Sequence, residues 1–365
     1  MTKRKRVWFN EGLSAVHDAL VLIREADTSR ELELLSSHSR PEAPALAVAD
    51  ATLAEPPRMR SEEYVAWCLQ TCREHAVDLF VPGRHREAIS ARRAEFEELG
   101  TRVLVAASAE VLALAERKDL FYASLEGLVP LAEFRVIRTL AEFDEAWAEL
   151  RPRHRRLCIK PAIGVFGVGF HILKEKHDAY EGLVAGNGLT VGLDAFRSAL
   201  AAARDPRRLL LMEYLPGTER SVDCLARDGT LIAAVSRRKR GGFQVLEVEG
   251  PAIELAAAIV AKHRLNGLVN VQTRDGRGGP RLLELNARMS GGMLYACCSG
   301  VNFPWWSVAL ALGLRDASQV PRPKGELLVA PTTGVRIVGR SSAAAGASPR
   351  VLAGDSRVVA EADDR

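Results

Sequence analysis

The sequence contains no run approaching the ~20 consecutive apolar residues that a membrane helix needs; even residues 301–314 are interrupted by Asn302 and Pro304. A helical membrane span is therefore not expected. There is little excess of either charge: 50 Lys and Arg stand against 46 Asp and Glu, for a net +4. That balance gives no whole-surface field for polyanions or acidic membranes, so neither nucleic acid nor a membrane is an expected partner. Cysteine is sparse, and Cys68, Cys72, Cys158, Cys224, Cys297 and Cys298 have neither zinc spacing nor the density of a disulfide framework, which reads as reduced thiols. The basic start Lys3-Arg4-Lys5-Arg6 is followed by Asn10, Glu11, His17 and Asp18 rather than the apolar core of a signal peptide. The expected compartment is cytoplasmic. What the chain does have is 365 residues, 47% of them hydrophobic and 26% charged, enough for two or three packed units.

Val7-Trp8-Phe9 ends at Asn10-Glu11-Gly12, and the apolar spacing from Leu13 to Arg24 is helical, with Ser14 near its start. Asp78-Leu79-Phe80-Val81 likewise stops at Pro82-Gly83, a charged helix runs on to Gly100, and Arg102-Val103-Leu104-Val105 makes another strand. Alternating βα units imply a parallel sheet, placed here in residues 1–111. Beyond Ala115 strands come in pairs across glycine-rich turns, which predicts antiparallel hairpins: residues 157–160 with 170–173, 209–215 with 221–226, and 268–272 with 281–285. Residues 341–365, Ser-, Ala- and Gly-rich and then acidic, read as a loose tail.

Lys160 ends an apolar strand, where its charge must reach solvent or a negative partner. The following loop holds Gly164, Gly167 and Gly169, which let backbone N–H groups approach phosphate oxygens; a plain glycine-rich turn is the alternative. No Walker sequence is present, and a strand rather than a helix follows the glycines. In Leu282-Leu283-Glu284-Leu285-Asn286, Glu284 and Asn286 share one strand face while Leu283 and Leu285 turn to a core. One carboxylate and one amide oxygen suit Mg²⁺, Gln272 on the partner strand offers a third oxygen, and Arg288 can reach the same face; a solvated strand face is the other reading. Residues 209–219 form an apolar strand running into Pro216-Gly217, which lapses the ladder and frees backbone groups for a flat ligand.

These segments occur in an order that resembles the ATP-grasp superfamily, nearest the carbamoyl-phosphate synthase large-subunit and biotin carboxylase branch: Lys118, Lys160 with its glycine loop, Met212 to Glu219, Asn270-Val271-Gln272, and Glu284-Leu285-Asn286-Ala287-Arg288. The resemblance covers about residues 1 to 330. It implies a mixed α/β and α+β fold, with a Rossmann-like pre-ATP-grasp βα domain (1–111), a first ATP-grasp subdomain carrying the phosphate loop (112–207) and a second carrying the adenine and metal site (208–340).

Carried over by position, the resemblance implies that Lys118, Lys160 and the loop at Gly164, Gly167 and Gly169 contact the phosphates of ATP. The carbonyl of Glu213 and N–H of Leu215 would bond adenine, with Met212 and Tyr214 beside them and Glu219 on the ribose. Gln272, Glu284 and Asn286 would hold Mg²⁺, for which Mn²⁺ can substitute, and Arg288 and Lys160 would act on the transferring phosphoryl group. The implied reaction activates a small-molecule carboxylate as an acyl phosphate for capture by an amine or similar nucleophile. Alternatives are an ATP-grasp small-molecule kinase and a non-catalytic nucleotide-binding module. Val165, Phe166 and Val168 make the phosphate loop greasier than in many relatives, and Gln272 stands where many have an acid. No amidotransferase partner or biotin carrier segment is visible. Substrate-side candidates are Arg238 and Arg240 in the basic turn Ser236 to Gly242, and Asn10 at a strand end of the first sheet. The oligomeric state is open, a homodimer included.

Overall fold

The computed structural model describes residues 3–12, 15–56, 58–164, 167–184, 186, 188–332 and 350–351. Among these, the expected alternation of short apolar strands and helices builds a wholly parallel six-stranded sheet, ordered Arg350–Val351, Ala51–Ala54, Leu32–His38, Lys5–Phe9, Leu79–Val81, Arg102–Val103. Successive residues of a strand face opposite ways, so Trp8 packs with Phe80 in a stack of 4.3 Å on one side while Val7 and Phe9 join the core on the other. The first helix is Val16–Ala26; Leu13 and Ser14 lie outside the described residues. The charged helix before Gly100 is two, Arg86–Ala91 and Arg93–Glu98. No described helix is long and apolar enough to cross a membrane.

The second sheet has five strands, ordered Phe134–Ile137, Leu209–Glu213, Leu157–Pro161, His171–Lys174, Thr190–Gly192. The pair around the glycine loop is antiparallel, as expected, with Cys158 opposite Ile172. A third, fully antiparallel six-stranded sheet runs Gly279–Asn286, Gly267–Gly276, Glu219–Arg227, Thr230–Arg240, Phe243–Glu247, Leu327–Val329.

Two expectations are corrected. Residues 209–215 and 221–226 do not form a hairpin: Leu209–Glu213 belongs to the second sheet and Glu219–Arg227 to the third. The Pro216-Gly217 turn is a crossing, docked by hydrogen bonds from Gly217 N to Asp275 O at 3.1 Å and from Asp275 N to Thr218 O at 2.9 Å. The basic stretch after Ser236 is the end of a strand, and the turn is Gly241-Gly242. Arg350–Val351 pairs with Ala51–Ala54 at the edge of the first sheet; the rest of 341–365 lies outside the described residues. The helix Phe303–Leu312 is apolar on all sides, the pattern of a buried helix. It packs Trp305 and Val308 into the core of the first sheet and Phe303 and Leu310 into that of the third, and Asn302 donates to Leu22 O at 2.7 Å.

Candidate active site

In the second sheet Lys160 stands opposite Leu210, and Cys158 opposite Met212. Residues paired across or two apart share a face, so Lys160 and Met212 project to the same side. Cys158, Leu210 and Met212 join one core with residues of the third sheet. Lys160 Nζ donates to Tyr122 Oη at 2.7 Å and to Leu283 O at 3.2 Å. Tyr122 Oη donates to that same carbonyl. Tyr122 lies one helical turn beyond Lys118 in Lys118–Ser124, on the same helix face.

Leu283 is available because the strand bulges there. Gln272 pairs with Glu284 and Thr273 with Leu282, which leaves Leu283 as the extra residue. A bulge removes one residue from the ladder and re-aims its neighbours. Leu282 and Leu285 are therefore the buried leucines, and Leu283, expected to face the core, packs against that core while only partly buried. The bulge sets Glu284 beside Gln272 on the next strand. Asn286 Nδ2 donates to Glu284 Oε1 at 3.3 Å, and an Arg288 guanidinium nitrogen donates to Asn286 Oδ1 at 3.1 Å.

Lys118 Nζ lies 3.9 Å from Glu284 Oε2 and donates to Gly164 O at 2.6 Å. Gly167 and Gly169 take the left-handed backbone region, φ +69° and +79°, and a Cβ on Gly169 would stand 2.8 Å from the Pro161 ring. Val165 and Phe166 lie outside the described residues; Val168 is exposed.

Arg86, three residues beyond the Pro82-Gly83 turn, was not among the sequence candidates. Arg86 donates to Ala287 O at 3.1 Å, beside Arg288. Burial pushes the Lys160 ammonium down to about 8. It also lowers Lys118, Arg86 and Arg288 from their ordinary values; Lys160 adds repulsion at Lys118, and Arg288 at Arg86. Among the described residues Lys160, Arg86 and Arg288 make no ion pair; Glu284 is the carboxylate whose charge favours the protonated forms of Lys118, Lys160 and Arg288, and Glu116 that of Arg86. Buried cations left short of negative charge attract anions.

On the segment from Met212 to Glu219, Glu213 N donates to Glu133 O at 2.9 Å and Tyr214 N to Arg156 O at 3.1 Å. Met212 and Leu215 are buried, and the Glu213 carboxylate is held by Arg281 at 3.1 Å. Glu219 pairs with Lys239. Of the substrate-side candidates, Arg238 pairs with Glu247 and Arg240 is exposed. Their neighbour Arg237 is the buried one, bonded to Asp223 at 2.6 Å and Ser290 at 3.2 Å. Asn10 is buried, and it donates to Tyr64 Oη at 2.8 Å while accepting from Gly83 N at 2.5 Å.

No group of three or more His, Cys, Asp or Glu able to hold a metal occurs among the described residues. The available donors are the Glu284 carboxylate and the amide oxygens of Asn286 and Gln272. This hard, oxygen-only, incomplete set fits Mg²⁺, which keeps much of its shell for water and phosphate.

A family model described as "ATP-grasp in the biosynthetic pathway with Ter operon" matches residues 205–335. Human carnosine synthase 1 is 34% identical over 139 residues, and the chicken protein 37% over 140. The human match takes 33% of this chain and 17% of that protein, so the chain spans only a small part of the relative's length. Among solved structures, an ADP complex of N5-carboxyaminoimidazole ribonucleotide synthetase superposes with a TM-score of 0.63 at 14% identity, covering 90% of this chain and 81% of that one. L-amino acid ligase from Bacillus licheniformis gives 0.57 at 17% identity, covering 88% and 78%. The MgADP-bound biotin carboxylase domain of Hydrogenobacter thermophilus 2-oxoglutarate carboxylase gives 0.57 at 15%, covering 87% and 71%.

Proposed function

We propose that this chain, which is an ATP-grasp protein, is an ATP- and Mg²⁺-dependent ligase that activates a small-molecule carboxylate as an acyl phosphate and passes the acyl group to an amine. The observation that carries this is the set of half-buried cations Lys118, Lys160 and Arg288 gathered about the carboxylate of Glu284, which lies 3.9 Å from Lys118. A nucleoside triphosphate and a substrate carboxylate supply the missing negative charge.

Lys118, Lys160 and the backbone at Gly164, Gly167 and Gly169 hold the phosphates. Met212 lies against adenine, which bonds the Glu213 carbonyl and the Leu215 N–H beside Tyr214, and Glu219 accepts from the ribose. Glu284, Asn286 and Gln272 hold Mg²⁺, which when bound draws together and neutralises phosphate oxygens. A carboxylate oxygen of the substrate attacks the γ-phosphorus and ADP leaves. The amine nitrogen then attacks the acyl carbon, phosphate leaves and the amine proton passes to solvent. Arg288 and Lys160 stabilise the charge of the transferring phosphoryl group. Positioning and charge stabilisation carry such a transfer, with no covalent nucleophile from the protein. The human and chicken relatives are named as a synthase and the Bacillus structure as an amino acid ligase, in keeping with ligation.

The test is ATP-dependent release of phosphate together with a condensed product when carboxylates and amines are supplied. Turnover by folded Lys160→Ala and Glu284→Ala proteins at the wild-type rate would overturn the site assignment, and ADP with a stable phosphorylated product and no free phosphate would indicate a kinase.

A further inference from the structure

A cavity opens between the strand ends of the first sheet and the segment that follows Asn286. It is walled by apolar side chains including Val16, Val81, Leu104 and Met289, and two cations, Arg86 and Arg288, reach it. Its other polar side chains are already satisfied. Both ends of the Asn10 amide are bonded, to Tyr64 and Gly83. Asn266 accepts from Asp228 N at 2.7 Å and donates to Arg264 O at 3.3 Å, and Ser307 donates to Pro304 O at 2.8 Å. No Asp or Glu is among the described residues of the lining.

We infer that this cavity binds the substrate to be activated, and that the substrate is a short-chain aliphatic carboxylate without an ammonium group, its carboxylate held by Arg86 and its chain among the apolar walls. The assignment rests on the ligase reading above and narrows it. One end of the space is cationic and the remainder greasy, which fits a group with a negative head and an apolar body. An ammonium would enter beside two guanidinium groups with no carboxylate in the described lining to meet it, since Glu116 and Glu284 act on Arg86 and Arg288 from outside that lining, a costly placement. Among the described residues one Arg86 donor is engaged, by Ala287 O, so the fork has N–H groups left to grip a carboxylate with both oxygens. The room is about 90 Å³, below the roughly 150 Å³ of an apolar cavity that takes up benzene, which favours a chain of a few carbons over an aromatic ring.

The experiment has two arms on the 365-residue chain. In the first, butyrate, benzoate and 4-aminobutyrate are compared for binding to the nucleotide-free protein by ligand-observed NMR. In the second, the same acids are supplied with MgATP and hydroxylamine, whose nitrogen captures an acyl phosphate as hydroxamate with loss of phosphate. Butyrate is expected to exceed both others in each arm. Arg86→Gln should raise the KM for butyrate roughly ten- to hundredfold, the worth of a charge-assisted contact, while the melting shift produced by MgATP stays as in wild type. Leu104→Ala enlarges the cavity and should move the preference toward longer or aromatic acids, a gain that damage to the fold would not produce. Equal or better use of 4-aminobutyrate or benzoate, or an unchanged KM in the Arg86 variant, overturns the assignment while leaving ligation standing. Butyrate binding that depends on Arg86, with no hydroxamate from any acid, supports the cavity and removes the ligase reading.

Discussion

The ammonium of Lys160 lies 2.7 Å from the hydroxyl of Tyr122, and that hydroxyl donates to the carbonyl of Leu283, the residue that bulges out of the strand bearing Glu284. A lysine on the second sheet is thus fixed against the Glu284-bearing strand of the third by a hydroxyl from a helix.

The first prediction concerns pH. Lys160 is pushed by burial from the ordinary 10.5 down to about 8. The unfolded chain therefore holds more protons than the folded one between about pH 8 and 10.5, and this group's contribution to the stability of the free protein rises with pH across that window. Phosphates favour the charged form, so MgATP affinity should fall as pH rises through about 8, with proton uptake on binding. Calorimetry in buffers of differing ionisation enthalpy measures that uptake. Lys160→Arg, which stays charged, should flatten the dependence; a flat profile for wild type between pH 7 and 9 would contradict the account.

Tyr122→Phe keeps the buried ring but strips the hydroxyl shared by Lys160 and Leu283. Removing such a bond costs about 1–2 kcal/mol, to be read from denaturant unfolding. Weakened MgATP binding should accompany it. Loss of stability with unaltered nucleotide affinity would confine Tyr122 to a packing role.

Glu284→Ala is expected to lower the rate of phosphate release about a hundredfold or more, since a bound metal supplies several kcal/mol of charge stabilisation. Titrating Mg²⁺ provides the control: wild-type turnover should vanish with chelator and return with metal, and the variant should need far more Mg²⁺ or not respond.

Saturating MgATP should raise the melting midpoint by roughly 5–10 °C, because a ligand at about 100 times its Kd adds ~2.7 kcal/mol and each kcal/mol moves a unit of this size by about 2–4 °C. Nucleotide or metal alone should give less. A null result at millimolar concentrations of both would argue against the nucleotide site.

A methyl group added at Gly217 would stand 2.5 Å from the backbone oxygen of Asp275. Gly217→Ala should therefore destabilise by about 1–3 kcal/mol, the usual cost of overpacking, and loosen the crossing between the second and third sheets. Chemical denaturation checks it; an unaffected midpoint would mean that the crossing yields freely.

The parallel sheet was legible because Val7-Trp8-Phe9 and Leu79-Phe80-Val81 are apolar runs that stop at turn residues and lead into helices. Glu284 and Asn286 were legible as a pair because a period of two is enough to put them on one face. The hairpins at 157–173 and 268–285 were legible too; what failed was set by pairing between segments distant in the chain and by exact register. Pro216-Gly217 marks a turn, but nothing local says that the strands on either side join different sheets. The bulge at Leu283 depends on the register with Thr273 and Gln272, and so the true burial of Leu282 was not readable. Arg86 and Tyr122 act through distant carbonyls, at Ala287 and Leu283, and a single sequence carries no sign of those, although Tyr122 follows Lys118 at helical spacing.

The helix Phe303–Leu312 gives Trp305 and Val308 to the core of the first sheet and Phe303 and Leu310 to that of the third. That sharing bears on where the chain can be cut. A fragment trimmed to residues 205–335, the span that matches the family model, would retain this helix yet lose the strands and the Val16–Ala26 helix that cover one of its sides. The bared tryptophan and valine would form a continuous greasy patch of the kind that drives self-association. Soluble expression should therefore require the N-terminal unit to be kept or supplied as a separate polypeptide, which makes the first sheet, in practice, an intramolecular chaperone for the last helix.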